Sequence, residues 1–417
     1  MVFKYDGKTI ASLEDLPLHG KKVLARLDLN SPLGPRGEIL DDTRFRMHLP
    51  TLKRLLESGS SIIIMTHQGR PLEGDFTRLD RHAEVLEKLL GSPVRYVPDV
   101  IGPDAKRGIR ELGPGEVLLL DNTRLMSEDY IQAPPEAHAK TILVRELAEL
   151  ADYYVNDAFA VSHRSQATVV GFPLVLPSAG GILMEREVGA LSKVLVEGDR
   201  PKVLVLGGAK ISDAVKLVKS LTQAGSIDEV LTTGLVSLFF HMAMGTRLPG
   251  HVEEAILSRA SGDLVVEARR LIASGAPVRV PIDYMVEYDD TVEIQPAKGL
   301  TGTPRDIGPS TIEYYRYKLS RARLIVLRGP AGVIEDPRFR RGTIELLRSS
   351  LESGAYTILG GGHFNAVLQS IPRSLVERIG HISSGGGAMI YFLTRKPLPG
   401  LESLALSYEK FRGVMNG

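Results

Sequence analysis

The chain contains no cysteine and no tryptophan. The first absence excludes disulfides, thiolate nucleophiles and cysteine-ligated metals. Net charge is nearly absent too: 51 basic against 50 acidic residues leave +1 at pH 7. No global field draws the protein to nucleic acid or to an anionic membrane, so an anion site must come from local clustering. No apolar run is long enough to span a bilayer. The first residues, Met1-Val2-Phe3-Lys4-Tyr5-Asp6, lack the apolar core of a signal peptide. A cytoplasmic protein with no nucleic-acid and no membrane partner is the expectation. Internal repeats and low-complexity tracts are also missing. Arginine outnumbers lysine, a bias that heat adaptation and genomic base composition explain equally.

What is present is an ordinary globular balance, 43% hydrophobic and 24% charged, spread over 417 residues. That length is more than one core usually fills. Short β-branched runs alternate with longer amphipathic stretches. Strands are expected over 23–28, 62–65, 94–97, 117–120 and 153–155, then over 203–206, 229–232, 278–282, 324–327 and 356–359. Helical spacing appears over 49–56 and 83–90. Continuous apolar runs between helices indicate parallel strands buried on both faces. The fold class is α/β: two doubly wound domains with parallel β-sheet cores, joined by a hinge helix.

A boundary falls near Phe172–Gly181, where two prolines and two glycines interrupt regular structure. The expected domains are 1–177 and 198–402, with a connecting helix over 178–197 and a tail from about 403 to 417. The stretch 182–196, apolar at Leu183, Val188, Leu191 and Leu195, reads either as that connector or as a surface helix of the second domain.

Unusual polar and glycine clusters sit just after predicted strands, and ligands of open α/β sheets bind at the carboxyl ends of strands. In the first half these clusters carry Arg26, Asp28, Asn30, Arg44, His67, Arg70, Arg124, His163 and Arg164. Guanidinium forks suit phosphate and carboxylate. Asp28 fits either a ligand hydroxyl or a brace that orients arginines. In the second half, Val203-Leu204-Val205-Leu206 runs into Gly207-Gly208-Ala209-Lys210, with further glycine turns at Gly234, Gly329-Pro330, Gly360-Gly361-Gly362 and Gly385-Gly386-Gly387. Such turns either let a phosphate approach backbone N–H groups or serve only as tight structural turns. With few charges beyond Lys210, the second half suits a nucleotide. A small polyanion on one domain and a nucleotide on the other suggest phosphoryl transfer in a cleft closed by hinge motion.

In their order these motifs resemble the phosphoglycerate kinase family over essentially the whole chain. They are Arg26-Leu27-Asp28-Leu29-Asn30-Ser31-Pro32, Asp42-Thr43-Arg44-Phe45-Arg46, Thr66-His67-Gln68-Gly69-Arg70-Pro71, Asn122-Thr123-Arg124, Asn156-Asp157-Ala158-Phe159 with His163-Arg164, Gly207-Gly208-Ala209-Lys210, Gly329-Pro330 with Glu335, and Gly385-Gly386-Gly387-Ala388. The resemblance implies reversible transfer between 1,3-bisphosphoglycerate and ADP, giving 3-phosphoglycerate and ATP, with Mg²⁺. It implies that Asp28 and Asn30 hold the glycerate end and that His67, Arg70, Arg124 and Arg164 bind the 3-phosphate. Arg44 and Lys210, with Gly386 and Gly387, would act on the transferring phosphoryl group. The nucleotide would lie on Gly207, Gly208, Ala209, Lys210, Gly234, Gly329, Pro330, Glu335, Gly361, Gly362 and His363. The tail would pack back on the first domain, and a monomer is expected.

Three positions depart from the family pattern, all on the nucleotide side. Ala214 stands where a second lysine is common, with Lys216 nearby as a possible substitute. His363 stands where an aspartate approaches Mg²⁺, so the metal is expected to be held mainly through nucleotide phosphates. Leu327-Arg328 replaces Trp-Asn. The residues alone also admit a two-domain nicotinamide dehydrogenase or an anion-binding receptor. The first lacks a Gly-x-Gly-x-x-Gly after any strand, and the second lacks a signal sequence.

Overall fold

The computed structural model describes residues 2–288, 291–361 and 364–415. Its chain divides into two compact units, Met1–Gly189 with Pro397–Gly417, and Ala190–Lys396.

The first unit is built on six parallel strands in the order Val94–Val97, Val117–Leu120, Ser61–Met65, Lys22–Arg26, Tyr153–Asn156, Ser178–Gly180. Alternate residues explain why the strands read as unbroken apolar runs. Val23, Ala25, Ile62, Ile64, Leu119 and Val155 join one core with Phe45, Leu52 and Leu55 of the helix Thr43–Glu57. Leu24, Ile63, Leu118 and Tyr154 are buried on the opposite face. Connections leave the strand Lys22–Arg26 toward one edge and the strand Tyr153–Asn156 toward the other. Their carboxyl ends therefore form a switch point, where ligands of such sheets bind.

The second unit has the parallel order Val278–Arg279, Glu229–Thr232, Lys202–Leu206, Leu324–Arg328, Tyr356–Gly360, His381–Ser383. Its switch point lies between Lys202–Leu206 and Leu324–Arg328. Val203, Val205, Ile325, Leu327 and Leu359 form one face of its core with Ile312 and Leu347.

Several elements differ from the sequence reading. The helix expected over 49–56 starts at Thr43 and continues through Pro50, which puts Arg44 in its first turn. The stretch Phe172–Gly181 does not stop the sheet, because Ser178–Gly180 is its edge strand. The strand expected over 278–282 is parallel only at Val278–Arg279. Pro281 offers no donor, and the chain turns instead into a three-stranded antiparallel sheet of Thr291–Pro296, Asp283–Tyr288 and Thr303–Ile307.

The helix Ile182–Leu195 crosses the boundary between the two units and is shorter than the 178–197 expected for a connector. Both ends are held by charge. Asp157 Oδ1 accepts from the amides of Leu183 (2.9 Å) and Met184 (3.2 Å) at its start. At its other end buried Lys202 Nζ donates to the carbonyls of Lys193 (2.9 Å) and Val194 (3.1 Å). Each sign complements the helix dipole. The last helix, Pro399–Met415, lies in the first unit, where Ser407 Oγ donates to Leu176 O (3.1 Å) and Lys410 Nζ to Leu174 O (2.7 Å).

Candidate active site

In the first unit the loops leaving three neighbouring strands are cross-braced. Thr66 Oγ1 accepts from the Leu29 amide (3.0 Å), and Asn30 Oδ1 accepts from the Gly69 amide (2.8 Å). Asn122 caps the short turn carrying Arg124 and donates from Nδ2 to the Gln68 and Thr77 carbonyls, both at 2.8 Å. These bonds fix the strand ends before any ligand arrives. Asp28 is buried and pairs with the Arg44 guanidinium, while its Oδ1 accepts from the Asn30 amide (3.3 Å). Burial alone would raise the Asp28 carboxyl, but the Arg44 and Arg26 charges hold it well below the usual carboxylate range.

Arg26 is fully buried and serves as a brace. It donates to Thr168 Oγ1 (2.9 Å), to the Leu27 carbonyl and to His67 Nδ1 (3.0 Å). A guanidinium only donates, so His67 Nδ1 is an acceptor and the ring proton sits on Nε2. Burial, then Arg26, Arg124 and Arg164, push His67 well below its ordinary value, so it is a neutral N–H donor at pH 7. Arg124 donates to the Gly69 carbonyl. Burial first, then Arg164, Arg26 and Arg70, push its guanidinium down to about 10. Arg164 is lowered by burial and then by Arg70. Neighbouring guanidiniums thus disfavour the charges of Arg124 and Arg164, the electrostatics of a site prepared for an anion.

In the second unit the glycine turns meet across the switch point. Gly207 N donates to Arg328 O and Gly208 N to Pro330 O, both at 2.8 Å, and Gly234 N donates to Ala331 O at 3.0 Å. A Cβ on Gly207 would lie 2.2 Å from Pro330 O, and one on Gly329 would lie 2.4 Å from Gly207 O. Gly208, Gly234 and Gly329 have φ of +73°, +54° and +79°, which only glycine adopts without strain. Packing of backbone on backbone therefore explains these glycines before any ligand is considered. Ala209 and Lys210 are exposed at the start of the helix Ile211–Gln223. Gly386, with φ +47° and ψ −109°, opens the short helix Gly387–Leu393, and no atom lies within 4 Å of an ideal Cβ on it.

The phosphoglycerate kinase family model matches residues 13–396. The chain belongs to the phosphoglycerate kinase family. It is 52% identical to the phosphoglycerate kinase of Aeropyrum pernix over 99% of this chain and 100% of that one. It is 45% identical to that of Saccharolobus solfataricus, over 96% and 98%. The crystal structure of phosphoglycerate kinase from Pyrococcus horikoshii OT3 superposes with a TM-score of 0.90 at 40% identity, covering 96% of this chain and 100% of that one. The Coxiella burnetii structure gives 0.77 at 29% identity, over 95% and 99%. The expected family and fold class stand, as does the expected activity, a phosphotransferase with a carboxyl group as acceptor that serves glycolysis.

The structure brings Asp28, Asn30, His67, Arg70, Arg124 and Arg164 to neighbouring strand ends of one phosphoglycerate kinase unit, with Arg44 on the adjoining helix. The Asp28 carboxylate pairs with Arg44. Gly207, Gly208, Gly234, Gly329 and Pro330 meet in the other unit. Glu335 is exposed, and Gly361 has φ +102°. Gly362 and His363 lie outside the described residues. Lys216 is exposed while Ala214 is buried. One reading needs correction, because Lys210 is not nearly alone: Arg328, 12% exposed at its side chain, lies at a switch-point strand end with Asp213 at 3.4 Å. Burial pushes Arg328 down and Asp213 offsets this in part. A basic residue ending an apolar strand was the readable signal for it.

Among the described residues no helix is long and apolar enough to cross a membrane.

Proposed function

We propose that the first unit binds 3-phosphoglycerate or 1,3-bisphosphoglycerate, with the 3-phosphate on Arg70, Arg124, Arg164 and neutral His67 and the glycerate on Asp28 and Asn30. The second unit holds ADP or ATP through the turns at Gly207–Lys210, Gly234 and Gly329–Pro330 and through Gly361, Gly362 and His363, with the ribose at Glu335. One observation carries this reading: Arg124 and Arg164 are half-buried with their guanidiniums pushed down, by burial first and then by neighbouring cations that include Arg26 and Arg70. A bound phosphate relieves that repulsion.

A terminal oxygen of the ADP β-phosphate attacks the acyl-phosphate phosphorus, and the bond to the carboxylate oxygen breaks to release 3-phosphoglycerate. Attacking and leaving oxygens are both anionic, so no general base is needed. Catalysis is then positioning and charge stabilisation. Arg44 and Lys210 supply full charges and the Gly386–Gly387 helix start supplies backbone N–H groups. Arg328 adds a cation beside the nucleotide phosphates, in place of a lysine at Ala214.

Mg²⁺ fits as a companion of the nucleotide. Asp213, in the first turn after the phosphate loop, is a carboxylate available to it, and its charge is shared with Arg328. Mg²⁺ commonly keeps several waters and takes one or two carboxylates plus substrate phosphates. It would be held mainly through those phosphates, neutralising charge on them. We read the protein as a cytoplasmic monomer, because its substrates are small and each unit closes its own core.

Coupled measurement of ATP formation from 1,3-bisphosphoglycerate and ADP tests the reading. Mg²⁺-dependent turnover is expected, and its absence in folded protein would overturn it.

A further inference from the structure

Arg44, His48 and Thr51 lie at i, i+4 and i+7 of the helix Thr43–Glu57, and so share one face. Together they reach Asp28, Asp157 and the start of the helix Ile182–Leu195. Arg44 pairs with the Asp28 carboxylate. His48 Nε2 accepts from the Asp28 backbone amide at 3.0 Å, and its Nδ1 is 2.7 Å from Asp157 Oδ2. Thr51 Oγ1 accepts from the Ile182 amide at 2.9 Å. Asp157 Oδ1 in turn holds the amides of Leu183 and Met184. A Cβ on Gly181 would lie 2.2 Å from that oxygen, so the glycine is what lets Asp157 reach the helix start.

We propose that His48 is a positioning residue for phosphoryl transfer: a neutral imidazole that ties the Asp28–Arg44 pair to the first turn of the helix Ile182–Leu195 through Asp157. The hydrogen bonds dictate its form. A backbone N–H can only donate, so Nε2 must present its lone pair to Asp28. The proton then sits on Nδ1 and is donated to the Asp157 carboxylate. A doubly protonated ring would set N–H against N–H at Asp28. His48 and Asp157 are both essentially inaccessible to solvent, so water cannot replace either bond. Asp28 is therefore gripped twice from one helix, by its carboxylate and by its amide. Losing the second grip lets the Asp28 loop, and with it the Arg44 guanidinium, leave the reacting position. The inference depends on Asp28 and Arg44 acting as proposed above. An unchanged kcat in Arg44→Ala would defeat that premise, whereas the tautomer of His48 is measured independently of it.

The test combines kinetics with ¹⁵N-resolved NMR of the His48 ring in the full-length protein. Asparagine can keep the donor to Asp157 but not the acceptor near Asp28, and glutamine can place an oxygen near the Nε2 position. His48→Ala and His48→Asn should lower kcat by about tenfold or more and raise KM for 3-phosphoglycerate, with KM for ATP held within about twofold. His48→Gln should recover most of kcat. The native ring should show a neutral Nδ1–H tautomer. In Asp157→Asn the proton should move to Nε2, with kcat falling as in His48→Ala. A native Nε2–H or doubly protonated ring overturns the proposal, even if the alanine variant fails to fold. So do folded variants with wild-type kcat and KM, or equal changes in KM for both substrates.

Discussion

Gly207 and Pro330 touch backbone to backbone. The Gly208 amide bonds to the Pro330 carbonyl at 2.8 Å, and a Cβ on Gly207 would lie 2.2 Å from that same oxygen. The two turns that flank the switch point of the second unit thus share one tightly packed backbone contact. Each turn shapes the other, and both shape the nucleotide surface.

Gly207→Ala should therefore act on stability and on ADP together. Overpacking of this kind costs about 1–3 kcal/mol, and the added methyl would push the Pro330 turn away from the strand end. Urea unfolding should show the loss, and calorimetry should show weakened ADP binding with 3-phosphoglycerate binding unchanged. Wild-type ADP affinity would separate the contact from the nucleotide site.

Arg44→Ala should lower kcat by about a thousandfold, since a full charge placed on a developing transition state is worth about 4 kcal/mol. It also leaves the buried Asp28 carboxylate without its main partner. Adding Asp28→Asn should restore part of the lost stability but none of the lost kcat. A double variant that recovers activity would mean that Arg44 only neutralises Asp28.

Much of this was legible in the sequence, for physical reasons. Buried parallel strands such as Ile62-Ile63-Ile64-Met65 read as unbroken apolar runs, and guanidiniums grouped after strand ends advertise an anion site. The antiparallel sheet was missed although Thr291-Val292-Glu293-Ile294-Gln295 alternates in period two, because Val278–Ile282 looked like the more apolar strand. The edge strands Ser178–Gly180 and His381–Ser383 are three residues each, too short to show a period. His48 was silent because its meaning lies in contacts 20 and 109 residues away. Arg26 read as one more ligand arginine, since sequence cannot show which way a strand-end side chain turns.

Stability should fall as pH drops below about 6.5. His82 donates from Nε2 to Gln68 Oε1 (3.1 Å) inside the core, and burial depresses it to about 4. Its folded pKa lies below its unfolded one, so its contribution is complete above pH 6.5 and is lost as pH falls through 4. Across that window a shift of this size is worth about 3 kcal/mol. His82→Gln should flatten the stability profile there, as read by urea midpoints at stepped pH. An unchanged slope would locate the proton uptake elsewhere.

Arg328→Gln should weaken ADP binding about tenfold, the scale of one charge-assisted hydrogen bond to phosphate, and leave 3-phosphoglycerate binding intact. It also frees Asp213 from its partner. Undiminished ADP affinity would assign Arg328 to Asp213 alone.

Calorimetric titration of Arg164→Ala with each substrate in turn tests the central claim, that the arginine cluster takes the glycerate phosphate and the glycine turns take the nucleotide. The account predicts that 3-phosphoglycerate affinity falls by about tenfold or more, with a weaker salt dependence, while ADP affinity is unchanged. Equal losses for both ligands, or a loss confined to ADP, would contradict it.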